Sequence, residues 1–270
     1  MEKFTDIKHY NWRDFSLAQS IFEVYEQVEK QVERIPTGII DDLIMGGIPR
    51  GSVILLLGDP KAGKTTFLSQ FLHTQLSMGY YAIGILVDIP KYEFVSNALD
   101  FGWDFMPYLE ENFFILDAYS QRLRGAPKFS FDEAVVTDIA DTVQLINAIK
   151  DVMIKILSTK NPPMITGIIS SLTPIFFETD KKQIYKFLED LKELAHRNKQ
   201  VWLVEMNSGI EEPHVEMMVK AIVDGIVEMR LIEENMTLKR YLRVYGMRRT
   251  KHVLSWVPYE ITESGIKLQV

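Results

Sequence analysis

The stretch Val53-Ile54-Leu55-Leu56-Leu57-Gly58-Asp59-Pro60-Lys61-Ala62-Gly63-Lys64-Thr65-Thr66 decides the fold. Five apolar residues lead through a glycine-bounded turn into the amphipathic run Thr66 to Leu76, which predicts strand, loop and helix in direct succession. Gly58 to Thr65 satisfy the spacing GxxxxGK[ST], and that spacing has a mechanical meaning. Glycines let backbone N–H groups wrap phosphate oxygens, while the helix N-terminus adds the positive end of its dipole. In such a loop Lys64 reaches the β- and γ-phosphates and the Thr65 hydroxyl ligates Mg²⁺. The predicted ligand is a nucleotide triphosphate group with Mg²⁺, held by Gly58, Asp59, Pro60, Lys61, Ala62, Gly63, Lys64, Thr65 and Thr66.

On either side of this stretch, short apolar runs alternate with longer helical patterns. Strands are expected at Ser52 to Leu57, Tyr81 to Val87, Phe113 to Leu116, Met164 to Ile169 and Gln200 to Val204. Helices are expected at Gly63 to Met78, Tyr92 to Phe101, Asp132 to Leu157 and Lys181 to Arg197. Strands that are apolar throughout and separated by helices predict an α/β fold with a mostly parallel central sheet covered on both faces. Met206 to Met218, with Glu211-Glu212-Pro213, reads as a loop. Beyond Asp224 no helix fits between Gly225 to Ile232, Met236 to Tyr245, Val253 to Val257 and Ile261 to Leu268, so this end reads as antiparallel. At the other end, Leu17, Ile21, Val24, Val28 and Val32 form a helical stripe, predicting a helix from Phe15 to Glu33. The stripe covers either its own chain's core or a neighbouring subunit. Two segments follow: a helical extension, residues 1–34, and one domain, residues 35–270.

Composition narrows the function. Thirty Lys and Arg against 37 Asp and Glu leave a net charge of −7, so the surface as a whole is not built to coat nucleic acid or an anionic membrane. There is no cysteine, which excludes a disulfide framework and thiolate chemistry and fits a cytoplasmic setting. No apolar run approaches the roughly 20 residues of a membrane span. His9, His73, His196 and His214 show no paired spacing, and no zinc site is proposed.

The motifs around the phosphate loop carry a resemblance. Thr37-Gly38, Asp42-Leu43, Gly46-Gly47-Ile48-Pro49 and Gly51 precede it. Phe101-Gly102-Trp103-Asp104, Asp224-Gly225-Ile226 and Met247-Arg248-Arg249-Thr250-Lys251-His252 follow it. In this order the chain from about Arg34 onward resembles the KaiC-like and archaeal RadA-paralogue branch of the RecA-fold P-loop ATPases. The resemblance implies a RecA-type core that binds ATP at a subunit edge, completed by a neighbour in a homo-oligomeric ring or filament. It also assigns roles. The carboxylate that helps hold Mg²⁺ is expected where Ser170 stands, and a serine brings no charge. That loss predicts Mg²⁺ binding weaker by roughly 1 to 3 kcal/mol. The water-orienting carboxylate falls at Asp88, whether Asp88-Ile89 or Val87-Asp88 is aligned with the family's acidic pair. Asp88 serves either as that group, one methylene short, or as a helix-start carboxylate before Pro90. Arg248 stands where the family reaches a neighbour's γ-phosphate, with Gly246 replacing its lysine, and His252 where the family often touches the nucleotide. Asn207 reports phosphate state or caps a strand end.

Two basic segments remain. Met236 to His252 carries six basic residues and no acid, with Lys239, Tyr241 and Arg243 on one side of a strand. It fits a subunit contact, single-stranded DNA or plain solvent. Arg122 to Lys128 is flanked by Tyr119, Phe129 and Phe131, an arrangement that stacks bases or anchors a helix. The expected function is an ATP-binding, nucleotide-gated assembly or regulatory subunit with weak or absent hydrolysis and a possible protein partner. The alternative is an active ATPase dependent on single-stranded DNA.

Overall fold

A computed structural model describes residues 32–119 and 138–269. The chain divides into two units between Glu33 and Arg34, and the strands and helices below belong to the unit Arg34–Val270. Of the helix expected from Phe15 to Glu33, only Val32 and Glu33 are described, and neither is helical. The basic loop Arg122 to Lys128 lies outside the described residues.

The strands in chain order are β1 (Arg34–Ile35), β2 (Ile48–Pro49), β3 (Ser52–Gly58), β4 (Tyr81–Leu86), β5 (Phe113–Asp117), β6 (Ile165–Ser170) and β7 (Val201–Asn207). They continue as β8 (Gly225–Glu234), β9 (Thr237–Met247), β10 (Val257–Thr262) and β11 (Gly265–Leu268). The described helices are α1 (Lys64–Ser77), α2 (Lys91–Leu99), α3 (Thr142–Thr159), α4 (Thr173–Glu178), α5 (Lys181–Arg197) and α6 (Pro213–Ile222). Nine strands form one sheet in the order β11-β10-β9-β8-β3-β7-β6-β4-β5. From β8 through β5 every pairing is parallel, and from β8 through β11 every pairing is antiparallel. The expected mostly parallel sheet with an antiparallel C-terminal end is what the chain forms.

Alternation along β3 explains why its run is apolar without a break. Ile54 and Leu56 join a core with Phe67, Phe71 and Leu72 of α1, while Val53, Leu55 and Leu57 join a second core with Ile184, Phe187 and Leu191 of α5. A strand covered on both faces has no polar side to show. The β8–β9 hairpin turns on Asn235 and Met236, at φ 52° and 60°, the left-handed pair that suits a two-residue connection.

Of the expected C-terminal run Val253 to Val257 only Val257 is strand, where β10 begins. Two further expectations differ for local reasons. Of the helix expected from Asp132 to Leu157, residues 132–137 lie outside the described residues; residues 138–141 are not helical and α3 begins at Thr142, because the Asp141 carboxylate accepts the amides of Val143 and Gln144 at 3.0 and 2.9 Å and sets the N-cap there. The loop expected over Met206 to Met218 is partly helix. Pro213 starts α6, where its missing N–H costs nothing, and Val215 and Val219 are buried. The short helix α4 has no counterpart among the expected elements.

Much of the family signature is structural. The Asp41 carboxylate accepts the Thr37 amide at 2.6 Å, the Thr37 hydroxyl at 2.8 Å and the Gly38 amide at 2.8 Å, closing the turn before β2. Trp103 stacks on Phe101 at 4.9 Å. The Asp224 carboxylate accepts the Val53 amide at 3.1 Å and pairs with Lys192 at 3.0 Å, tying β8 to the start of β3.

Candidate functional site

The phosphate loop leaves β3 at Gly58, where a Cβ would lie 2.4 Å from the Met229 carbonyl oxygen, so only glycine fits. Asp59 acts as a brace: its carboxylate accepts the Ser208 hydroxyl and the Leu231 amide, both at 2.8 Å. The buried Tyr259 hydroxyl donates to the Ala62 carbonyl, and burial raises its pKa well above the ordinary phenol range. Gly63 then takes a left-handed conformation at φ 99°, and α1 begins at Lys64 with no side chain capping it. The first-turn N–H groups are thereby left for a ligand. The cleft beside them has a volume of about 400 Å³ and is lined by Pro60, Lys61 and Gly63 to Thr66 of the loop and first helical turn, together with Asp88, Glu205, Asn207 and Ile261.

Lys64 is 4% exposed. Its ammonium donates to the carbonyls of Gly58 and Asp59 at 3.1 and 2.9 Å and to Asn207 Oδ1 at 2.8 Å. Burial lowers its pKa, opposed by the charges of Glu205, Asp59 and Asp88. Asn207 thus holds the lysine that a phosphate would engage.

Three strand ends bring oxygen donors together beneath Thr65. The Ser170 hydroxyl, at the end of β6, lies 3.0 Å from Asp88 Oδ1 and 3.4 Å from Glu205 Oε2. The Thr65 hydroxyl donates to the same Glu205 oxygen at 3.4 Å. Burial first, and the charge of Asp88 second, push the Glu205 carboxyl up to about 7, against the opposing pull of Lys64, Thr65 and Ser170. Hydroxyls and carboxylates are the hard oxygen donors that suit Mg²⁺, and the uncapped helix start suits the triphosphate. These residues therefore fit Mg²⁺ and ATP. Among the described residues there is no cluster of three His, Cys, Asp or Glu side chains able to hold a metal by itself.

Glu205 is the site residue that sequence reasoning misses. In Glu205-Met206-Asn207 the sequence assigns a role to Asn207 alone. The available signal is an acid inside an otherwise apolar core strand, Val201-Trp202-Leu203-Val204-Glu205.

Arg248 and His252 stand elsewhere. The Arg248 amide donates to the Asp224 carbonyl at 2.8 Å, and the Asp224 amide to the Val53 carbonyl at 2.8 Å. Both therefore belong to the end of the sheet where β3 begins, roughly 20 Å of strand away from the phosphate loop. The Arg248 side chain is 61% exposed and reaches Asp224 at 3.5 Å. His252 is not among the residues lining the cleft of its own chain; it precedes Val253, whose amide donates to the Leu43 carbonyl at 3.2 Å, and its Nδ1 is buried without a hydrogen-bond partner. The basic residues of β9 are largely matched by acids of β8: Lys239 pairs with Glu234 at 3.0 Å and Arg243 with Glu228 at 2.7 Å, while the Tyr241 hydroxyl donates to Glu234 at 2.9 Å.

Residues 35–270, which hold both the phosphate loop and this distant arginine, match the sequence model of an ATPase family, KaiC. The chain belongs to the KaiC ATPase family. It is 32% identical over 248 residues to the UPF0273 protein PH0284 of Pyrococcus horikoshii, a match covering 86% of this chain and 92% of that protein. It is 27% identical over 256 residues to the circadian clock oscillator protein KaiC of Prochlorococcus marinus, covering 90% of this chain and 46% of KaiC. Its fold is similar to the crystal structure of the KaiC-like protein PH0186 from Pyrococcus horikoshii, with a TM-score of 0.70 and 25% identity, covering 88% of this chain and all of that one. This KaiC-family chain is thus a nucleotide-binding protein of the RecA fold. No helix among its described residues is long and apolar enough to cross a membrane.

Proposed function

We propose that the chain is a nucleotide-gated assembly or regulatory subunit that binds ATP with Mg²⁺ and hydrolyses it slowly or not at all. In this reading Lys64 of one copy and Arg248 of another engage the same triphosphate, and residues 1–34 form an extension to the ATP-binding domain 35–270. The single observation that carries it is the separation of the two parts. The exposed Arg248 and the phosphate loop lie at opposite ends of β3, so the arginine is out of reach of its own chain's nucleotide, which supports a role toward another copy's. Contacts of this kind are heterologous, head to tail, and generate rings or filaments. His252 shares the Arg248 end and would face the same neighbour's nucleotide.

Slow hydrolysis follows from Asp88. It is one methylene shorter than glutamate, and its carboxylate accepts the Ser170 hydroxyl, which holds it back from a water at the γ-phosphate. The ion pairs within the β8–β9 hairpin weigh against the basic strand as a binding surface for single-stranded DNA.

Light scattering with and without Mg²⁺ and ATP tests the proposal, together with phosphate release in the presence and absence of single-stranded DNA. The expected result is a nucleotide-dependent rise in mass with little turnover. Arg248→Ala should keep ATP affinity within about threefold and lose the mass increase. Rapid turnover stimulated by DNA, or a mass indifferent to ATP, would overturn it.

A further inference from the structure

Glu205 is an ionisable group in a place that normally excludes charge. It sits on β7 between Val204 and Met206, both fully buried, and is itself only 4% exposed. Desolvating a carboxylate is costly unless a partner compensates. Among the described residues its side chain receives two hydroxyl donors, Thr65 and Ser170, each at 3.4 Å, and no ion pair. The nearby ammonium of Lys64 is turned instead to two carbonyls and Asn207.

The position of β7 explains what such a group can do. β7 lies between β3, which carries the phosphate loop, and β6, which ends in Ser170. Leu56 of β3 pairs with Glu205, and Ile169 of β6 pairs with Val204, so Glu205 and Ser170 are neighbours on adjacent strands. Compared with a carboxylate at residue 170, one at 205 starts a strand closer to Thr65. A Thr65 hydroxyl that gives its hydrogen to Glu205 turns its oxygen lone pairs outward, toward a cation bound with the phosphates.

We infer that Glu205 carries the negative charge that holds the nucleotide's Mg²⁺ in this chain, standing in from β7 for the carboxylate that β6 lacks at Ser170. The inference rests on the ATP reading of the cleft. It divides the work between two acids: Glu205 orients Thr65 and attracts the metal, and Asp88 is left to order water. Glu205 is thus a positioning residue for metal binding, acting through the Thr65 hydroxyl it orients and through its charge.

The test is ATP affinity of the full chain measured by calorimetry, in excess Mg²⁺ and again in EDTA. Glutamine keeps an acceptor for Thr65 and Ser170 but removes the charge, so a merely structural Glu205 would survive the change. We expect Glu205→Gln to lose tenfold or more of the affinity gained with Mg²⁺, read as the ratio of its own affinities in Mg²⁺ and in EDTA. Ser170→Asp/Glu205→Gln, which returns a carboxylate to β6, should recover that gain. A Glu205→Gln chain with the wild-type Mg²⁺ gain overturns the inference and leaves the ATP reading intact. A wild-type chain that binds no ATP in either condition overturns both. Should Glu205→Gln not fold, Ser170→Asp alone decides. If the charge is already supplied by Glu205, the Mg²⁺ gain rises less than threefold. A rise of tenfold or more means that the metal lacked a carboxylate, and overturns the inference.

Discussion

Glu205 and Glu228 are equally buried, at 4% exposure each, and flank the same central strand, Glu205 beside Leu56 and Glu228 beside Leu57. Their surroundings differ in one respect. Glu228 is met by Lys220 at 3.0 Å and by Arg243 at 2.7 Å, and Arg243 is fixed in turn over the ring of Trp256 at 4.5 Å. Burial pushes the Glu228 carboxyl up, but hydrogen bonds from Lys220 and Arg243 outweigh it and hold the group below the usual carboxylate range. Glu205 has burial without those cations, and its carboxyl is pushed up to about 7. A buried acid that serves the fold comes with its counter-charges folded around it. One that serves a ligand is left short of positive charge until the ligand brings it.

The largest test of this contrast is pH. In the folded chain without nucleotide, Glu205 keeps a proton that the unfolded chain releases near its ordinary 4.5. Its stabilising contribution is therefore complete below about 4.5 and is lost as pH rises through about 7, a fall on the order of 3 kcal/mol. Urea denaturation at pH 5 and pH 8 should show that fall, and Glu205→Gln should abolish it, leaving the variant more stable than wild type at pH 8. Equal slopes for both chains would break the comparison. The second test acts on the other acid. Arg243→Met leaves Glu228 with Lys220 alone and should cost about 2 kcal/mol in the same assay at pH 7. That is less than complete loss of a buried partner, because one cation remains. The smallest effect is expected at Lys239, whose pair with Glu234 is open to water. Lys239→Ala should leave the urea midpoint within error, and a measurable loss would mean that exposed pairs on β9 matter as much as the buried one.

Much of the core is legible in the sequence because its signals are local. The apolar run of β3, the glycines of the phosphate loop and the amphipathic start of α1 are contiguous, so each supports the next. The helix Lys181 to Arg197 is readable to the residue, since Asp180 caps it and Ile184, Phe187, Leu188 and Leu191 keep one face. Less local features mislead. Glu211-Glu212-Pro213 looks like a loop because a proline that starts a helix resembles one that breaks it, and only the burial of Val215 and Val219 distinguishes them. The basic run on β9 looks like an anion site because the acids that pair with it, Glu228 and Glu234, lie on the preceding strand.

By itself, the sequence determined the phosphate loop, the α/β alternation and the antiparallel C-terminal end. Each is written in neighbouring residues whose spacing matches a strand, a turn or a helix. Only the tertiary structure decided that Glu205 meets Thr65, and that Ser170 stands beside both Glu205 and Asp88. Thr65, Asp88, Ser170 and Glu205 are separated by as much as 140 residues and meet because the sheet is ordered β3-β7-β6-β4, not in chain sequence. Strand order is set by which faces can be buried together, a property of the whole core that no local spacing records.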